Sequence, residues 1–187
     1  MINLYSIPRY VCFALLLSVG FTACKSAKPR KTAHHRAAPS RAGSYSKPKP
    51  KPREAKLATV HAETVIETAR SYLGTPYKYG GTTSKGMDCS GLVFTSFQAV
   101  NITLPRSSQA QSGVGKPIKT SEIHPGDLLF FSEKKGVNKI SHVGLVTSVR
   151  SDNEIIFIHS TNSRGVMEDD LFSEHYHKIF IKAVRPF

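Results

Sequence analysis

The stretch that most constrains the fold of this chain is Asp88-Cys89-Ser90-Gly91, which is followed directly by an apolar run over residues 92–97. A residue that can cap a helix, placed before such a run, predicts a buried helix that begins at Cys89. We interpret Cys89 as a nucleophile at the start of this helix. The alternative is a free cysteine packed as a small hydrophobic residue, because cysteine is among the residue types most often buried.

The positive charge of the chain lies mainly in one segment. The 187 residues carry a formal net charge of +13. Residues 25–56 contain 11 Lys or Arg and one acid, whereas residues 57–187 contain 14 Lys or Arg and 12 acids. A nucleic-acid-binding protein carries its basic residues on a folded face or in a recognisable module. Neither pattern is present, so we expect no nucleic-acid partner.

The first 23 residues are typical of an export signal. Arg9 precedes an apolar core over residues 11–19, which is too short to span a bilayer as a helix. Residues 20–24 then resemble a bacterial lipobox, with Phe21 where an aliphatic residue is usual. This resemblance implies that Cys24 becomes the lipidated first residue of the mature protein. An uncleaved membrane anchor is the alternative.

Residues 24–56 predict a disordered tether between the lipidated cysteine and a folded domain. They contain a Lys-Pro repeat over residues 47–52 and almost no large aliphatic side chains, so they cannot bury enough apolar surface to fold. Their charge suits contact with anionic surfaces of the cell envelope, and a spacer without a specific partner fits the same composition. Because Lys25 rather than an acid follows Cys24, we expect a lipid anchor in the outer membrane, facing the periplasm.

This processing leaves Cys89 as the free thiol of the mature chain. Of the three cysteines, Cys12 is removed with the signal and Cys24 carries lipid. Exported compartments are oxidising, and an unpaired thiol there indicates intermolecular pairing or a reactive role. A cysteine near a helix N-terminus also faces the positive end of the helix dipole, which predicts a lowered thiol pKa.

Residues 57–187 predict a single α+β domain. Apolar residues at helical spacing indicate a first helix from near Leu57 to Leu73, ended by Gly74, before the Cys89 helix. A short helix capped by Ser107 or Ser108 follows. After residue 119 the pattern changes to strands, which we place at residues 128–131, 142–149, 155–160 and 179–184. Helices therefore come first and an antiparallel meander follows.

Two histidines lie at the ends of strands that a short turn at residues 150–153 joins. His142 begins one strand and His159 ends the next, so antiparallel pairing predicts that both lie at one end of the sheet. With Cys89, they form the set that a cysteine peptidase needs: a nucleophile, a base and a group that orients the base. A zinc site of the same three residues is geometrically possible, although no close-spaced ligand pair supports it.

Five blocks of the sequence resemble the NlpC family of bacterial cell-wall cysteine peptidases, in order and at ordinary spacings over about residues 64–160. The blocks are Tyr79-Gly80-Gly81, Asp88-Cys89-Ser90-Gly91-Leu92-Val93, Leu104-Pro105-Arg106-Ser107-Ser108, Pro125-Gly126-Asp127-Leu128-Leu129-Phe130-Phe131 and Ser141-His142-Val143-Gly144-Leu145. The resemblance implies a papain-like fold, in which the cysteine helix packs on an antiparallel β-sheet that bears the histidine. It implies as substrate the stem or cross-link peptides of peptidoglycan.

The resemblance also implies roles for single residues. His159 corresponds to the third polar residue of the family, and Tyr79 corresponds to its active-site tyrosine. We expect Tyr79, Ser90 and Arg106 to stabilise the oxyanion or bind substrate. We expect no cofactor and a monomer. An amidase, an acyltransferase or a non-catalytic wall-binding lipoprotein on the same scaffold are the alternatives.

Overall fold

The computed structural model describes residues 51–186, so the predicted signal, Cys24 and most of the predicted tether lie outside the described residues. The helices of this part are α1 (Pro52–Arg70), α2 (Cys89–Gln98), α3 (Ser108–Gln111) and α4 (Glu174–Ile179). Its strands are β1 (Thr82–Thr83), β2 (Gly86–Met87), β3 (Lys116–Ile118), β4 (Leu128–Ser132), β5 (Ile140–Ser151), β6 (Glu154–Thr161), β7 (Gly165–Asp170) and β8 (Phe180–Arg185). Within residues 51–186, no helix has the length and apolar character needed to cross a membrane.

Six strands form one antiparallel sheet in the order β3-β8-β4-β5-β6-β7, and β1 pairs separately with β2. The predicted α+β class is confirmed. Both faces of β4 are buried: Leu128 and Phe130 belong to one core cluster, and Leu129 and Phe131 belong to the other. A strand covered on both faces needs a continuous apolar run rather than alternation, which accounts for the sequence of β4.

Helix α2 packs against β5 and β6, and α1 packs against α2. Leu92, Val93 and Phe97 of α2 are fully buried in the same cluster as Val143 and Ile158 of the sheet. Burial of each such side chain contributes about 1.5–3 kcal/mol, so these three residues fix the helix firmly on the sheet. The first residue of the helix, Cys89, is thereby held beside β5.

Helix α1 begins at Pro52, five residues before the predicted domain start at Leu57. The fixed φ angle of proline suits the first turn of a helix, where its missing N–H has no partner to lose. The side chain of Glu54 also accepts a hydrogen bond from the backbone N–H of Lys51 at 3.3 Å. The last residues assigned to the tether are therefore the first turn of α1.

Strand β7 and helix α4 were not predicted. The sequence of β7 ends in Glu168-Asp169-Asp170, and such an acidic run is typical of loops. The strand forms because it pairs with β6 over six residue pairs at the edge of the sheet, where one side needs no further partner. This long-range pairing brings acidic residues next to β6.

Candidate active site

The start of helix α2 holds the thiol at the edge of the core. Asp88 is the N-cap, and its carboxylate accepts a hydrogen bond from the backbone N–H of Gly91 at 2.7 Å. Cys89 is partly exposed and carries a free thiol. The backbone N–H of Val143, the residue after His142, forms a hydrogen bond with the sulfur. Cys89 therefore lies against the start of β5.

A clamp formed by Asp88 and Arg106 holds the helix start against the preceding loop. The guanidinium donates to both carboxylate oxygens of Asp88 at 2.9 Å each, and the backbone N–H of Gly80 donates to the same carboxylate at 2.7 Å. Burial opposes the charge of Asp88, but these hydrogen bonds outweigh it and hold its pKa below the usual range. The clamp therefore contains an ionised carboxylate at neutral pH.

The clamp also changes the roles expected for Ser90 and Arg106. The hydroxyl of Ser90 donates to Asp88 at 3.1 Å and accepts from Arg106 at 2.9 Å, and the residue is buried. Arg106 further donates to the carbonyl oxygen of Gly81 at 3.0 Å. The polar groups of both side chains thus bond to the protein itself. These hydrogen bonds give both residues a structural role at the helix start, and their binding of substrate or oxyanion stays a prediction.

Tyr77, rather than the predicted Tyr79, lies near the thiol. Tyr79 is 88% exposed. The backbone on either side of Tyr77 pairs with Met87, with N···O distances of 3.1 and 3.3 Å. Met87 precedes Cys89 by two residues, so this pairing holds Tyr77 close to the start of α2. Burial raises the pKa of the Tyr77 phenol, and the nearby charges of ionised Cys89 and of Asp88 raise it further. A neutral phenol can donate a hydrogen bond toward the reacting centre.

The structure brings the two predicted histidines together. Nε2 of His142 and Nδ1 of His159 lie 2.8 Å apart, which is hydrogen-bond distance. His159 is fully buried, and its ring lies 4.8 Å from that of Phe157 between centroids. The orientation of this histidine pair is therefore fixed by packing as well as by its hydrogen bond.

Asp169 extends the histidine pair and was missed in the sequence. Its Oδ2 lies 3.0 Å from Nε2 of His159, and the Tyr176 hydroxyl is also within hydrogen-bond reach of this carboxylate. Both residues lie on unpredicted elements, β7 and α4. No local signal marks them, because Asp169 stands in an acidic run that also fits a solvated loop.

The thiol and the two imidazoles of the site are held neutral. Burial, with smaller contributions from His159 and His175, lowers the pKa of His142 to about 3. Burial also lowers the pKa of His159, against the opposing effect of Asp169. Burial raises the pKa of the Cys89 thiol, although the Val143 N–H opposes the change. The expected lowering of the thiol pKa by the helix dipole is therefore wrong: desolvation dominates, and the resting pair is thiol and imidazole.

Acid should destabilise the domain because its buried imidazoles resist protonation. The pKa values of His142 and His159 are lowered, so below about pH 6.5 the unfolded chain binds more protons than the folded one. Stability is fully present above that pH, and for His142 it falls by about 1.4 kcal/mol per pH unit as the pH drops toward the lowered pKa of this imidazole. Urea denaturation between pH 7.5 and 4.5 measures this slope. His142→Gln should remove a large part of it, and an unchanged slope in this variant would contradict the assignment.

The described residues contain no group of three or more His, Cys, Asp or Glu side chains that could hold a metal ion, so the zinc alternative gains no support from them. A cavity of about 750 Å³ lies between α1 and the residues around His124 and Arg185, and Cys89, His142, His159 and Asp169 do not line it.

Comparison with known proteins gives the same family from sequence and from structure. The model of the NlpC/P60 family matches residues 74–185. The chain is 39% identical over 117 residues to the probable endopeptidase NlpC of Escherichia coli, which covers 62% of this chain and 72% of that protein. It is 40% identical over 115 residues to the bifunctional muramidase/DL-endopeptidase CwlT of Bacillus subtilis, covering 61% of this chain but only 33% of that protein.

The fold comparison agrees. A crystal structure of an NlpC/P60 family protein from Bacillus cereus superimposes with a TM-score of 0.60 at 33% identity, and covers 66% of this chain and 39% of that one. This chain thus spans most of the Escherichia coli relative and about a third of the longer Bacillus proteins.

Proposed function

The chain belongs to the NlpC/P60 family of peptidoglycan hydrolases and endopeptidases, and from this premise we propose that it is a cysteine endopeptidase acting on the peptides of bacterial peptidoglycan. Its relatives carry names that fit this substrate class. One is a DL-endopeptidase, and another, from Bacillus subtilis, is a gamma-D-glutamyl-L-lysine dipeptidyl-peptidase that is 40% identical over 84 residues. The stem or cross-link peptide is thus the proposed site of cleavage.

One observation carries the proposal: hydrogen bonds link His142, His159 and a carboxylate, and His142 is the neighbour in sequence of the residue whose backbone contacts the nucleophile. The sulfur of Cys89 contacts the backbone of β5 next to His142, His142 bonds to His159 at 2.8 Å, and His159 bonds to Asp169 at 3.0 Å. A purely structural cysteine needs no such neighbours. A nucleophile, a base and a group that orients the base are the parts of thiol catalysis.

The neutral resting state defines the order of proton transfers. His142 takes the thiol proton as the sulfur of Cys89 attacks the amide carbonyl carbon, which becomes tetrahedral. The Tyr77 hydroxyl and the backbone N–H of Cys89 donate hydrogen bonds to the oxyanion that develops. The imidazolium of His142 then gives its proton to the leaving amine, and a thioester remains. Water, deprotonated by His142, hydrolyses the thioester and restores the thiol.

Digestion of defined muropeptides tests the proposal. The purified protein is incubated with cross-linked and uncross-linked muropeptides, and the products are weighed by mass spectrometry. We expect fragments whose summed mass exceeds that of the substrate by one water, with cleavage between two amino acids of a peptide. Protein alkylated at Cys89 with iodoacetamide is the control and should release none.

The same measurement separates the alternatives. Release of intact peptides from the sugar would identify an amidase, and products joined through a new amide bond would identify an acyltransferase. Binding to sacculi without any product would favour a non-catalytic wall-binding protein. Each of these results would replace the endopeptidase proposal, because the first two assign a different reaction to the thiol and the third assigns it none.

We also propose that the protein is anchored by lipid in the bacterial cell envelope, with Cys24 as the modified residue and the outer membrane as its location. The support is the sequence of residues 1–24, which lies outside the described residues. Mass analysis of the N-terminal peptide of protein isolated from membranes should show a diacylated or triacylated Cys24. A Cys24→Ala variant that is processed and fractionates with membranes as the unsubstituted protein does would contradict the anchor.

A further inference from the structure

Asp169 is hydrogen-bonded to His159 and His159 to His142, and these two hydrogen bonds determine which ring nitrogens carry protons. Hydrogen bonds from His159 and burial act on Asp169 in opposite directions, and the net effect is a pKa below the usual range, so the carboxylate is ionised and can only accept. Nε2 of His159, 3.0 Å from Oδ2 of Asp169, must therefore carry its proton and donate it. In a neutral imidazole the other nitrogen is then an acceptor.

The same reasoning determines which ring nitrogen of His142 carries the proton. Because Nδ1 of His159 has a free lone pair, the partner 2.8 Å away, Nε2 of His142, must be the donor. A neutral His142 protonated at Nε2 has an unprotonated Nδ1. This nitrogen is the only basic atom of the ring left for the thiol. The proton positions of both rings thus follow from one carboxylate on β7.

We propose that Asp169 is a positioning residue that sets the tautomers of His159 and His142, so that His142 presents a free Nδ1 as the base for Cys89. This inference rests on the proposed role of Cys89 as the nucleophile. Asp169 does not contact the substrate or the thiol in this scheme. It acts through His159, which relays its effect to His142.

The surroundings of Asp169 favour this role over simple charge pairing. Its cationic neighbour is Arg164, whose Nη2 lies 3.5 Å from Oδ2 of Asp169 and whose side chain is 62% exposed. Exposed ion pairs of this kind contribute little to stability. The hydrogen bond to the fully buried His159 is shorter, at 3.0 Å. The Tyr176 hydroxyl lies 3.5 Å from Nε2 of His159, and its proximity to Asp169 helps to hold the pKa of that carboxyl below the usual range.

The position of β7 is itself tied to the loop that leads to the nucleophile. The backbone N–H of Val166 donates to the carbonyl of Thr75, and the N–H of Gly74 donates to the carbonyl of Val166, both at 2.9 Å. In the β6–β7 register, Asp169 is opposite Phe157 and Met167 is opposite His159, so Asp169 and His159 are diagonal neighbours on one face. The carboxylate is therefore positioned by the pairing of β7 with β6, and β7 is hydrogen-bonded to the loop that leads to Tyr77.

The adjacent acid Glu168 supplies a matched control. It lies on the same strand but forms a partly exposed ion pair with Arg70 at 2.9 Å, on the opposite side from His159. Glu168→Gln and Asp169→Asn both replace one carboxylate with an amide at neighbouring positions. A general effect of charge or strand stability should appear in both variants, and an effect on the imidazole tautomers should appear only in Asp169→Asn.

The first readout is nitrogen NMR of the full-length protein without substrate. In the unsubstituted protein, the ¹⁵N shifts should show both His142 and His159 protonated at Nε2. Finding His142 protonated at Nδ1 would overturn the proposal. This measurement needs no variant and no activity, so it remains decisive if Asp169→Asn fails to fold, and it is independent of whether the protein cleaves peptidoglycan.

The second readout is the reaction of the thiol with iodoacetamide and the kcat of muropeptide cleavage. Asp169→Asn should lower both, with kcat falling on the order of 10²–10³-fold and KM little changed. The His142 ring stays in place in this variant, but the proton is on the wrong ring nitrogen for His142 to act as the base. Glu168→Gln should retain both within about twofold. Equal losses in the two variants would overturn the proposal. Normal tautomers and alkylation in a protein that cleaves no muropeptide would instead refute the proposed function alone.

Discussion

Replacing Cys89 with alanine is expected to abolish the release of peptide fragments from purified sacculi while leaving the domain folded. The rate should fall by at least about 10³-fold, because loss of the nucleophile leaves only substrate binding and oxyanion stabilisation. Cys89 is half-buried at the edge of the core and forms no disulfide, so the substitution removes a single sulfur atom there and keeps the domain folded. Release of soluble peptides into the supernatant measures the activity.

The control for this prediction lies on the same helix. Gln98, the last residue of α2, is exposed and far along the helix from the thiol, so Gln98→Ala should retain the activity of the unsubstituted protein. Thermal unfolding of both variants should agree with that of the parent within a few degrees. Digestion of sacculi by Cys89→Ala at the parent rate would remove the thiol from the mechanism and with it the proposed function.

The sequence was sufficient for the parts of the fold that local chemistry encodes. Asp88 is a helix-capping residue before an apolar run, and the structure places it as the N-cap of α2 with its carboxylate on Gly91. The central strands follow from apolar runs between turns. The proximity of His142 and His159 follows from pairing two strands across a short turn, because such a turn leaves few possible registers.

The parts that the sequence did not predict depend on contacts between distant segments. Tyr77 and Tyr79 are two residues apart in the same loop, and their local sequence does not show which one lies near the thiol. The pairing of the backbone around Tyr77 with Met87 distinguishes them. Asp169 lies in an acidic run whose strand forms only because β6 is beside it. The neutral thiol has the same origin, since desolvation of Cys89 depends on the sheet that packs around it. Helix position alone predicts the opposite shift.

The roles of Ser90 and Arg106 show a related limit. Both stand in blocks that resemble a family of enzymes, and a polar residue beside a nucleophile is readily assigned to substrate binding. Their side-chain partners are instead Asp88 and the backbone of the loop at Gly81. A motif identifies which residues lie near a site. It does not distinguish the groups that face the substrate from those that hold the helix in place.

Gly91→Ala is expected to destabilise the domain strongly, although alanine is a better helix former than glycine by about 1 kcal/mol. A Cβ at this position would overlap the carbonyl oxygen of Gly81 and lie 2.9 Å from Nη2 of Arg106. The carbonyl belongs to the backbone, so relief requires the loop to move away from α2. We expect a loss of about 2–3 kcal/mol in the free energy of unfolding.

Gly113→Ala is the matched control for this substitution. A Cβ at Gly113 would meet its nearest neighbour, the carbonyl oxygen of Ala110, at 3.5 Å, which is ordinary van der Waals contact. The change should therefore be neutral or stabilise by up to about 1 kcal/mol through the unfolded state. Urea denaturation of both variants measures the change in the free energy of unfolding, which should be a loss for Gly91→Ala and no loss for Gly113→Ala. Stability of Gly91→Ala at or above that of the parent would show that the loop at Gly81 is not clamped against α2, and the helix start would then lack the support that fixes the thiol.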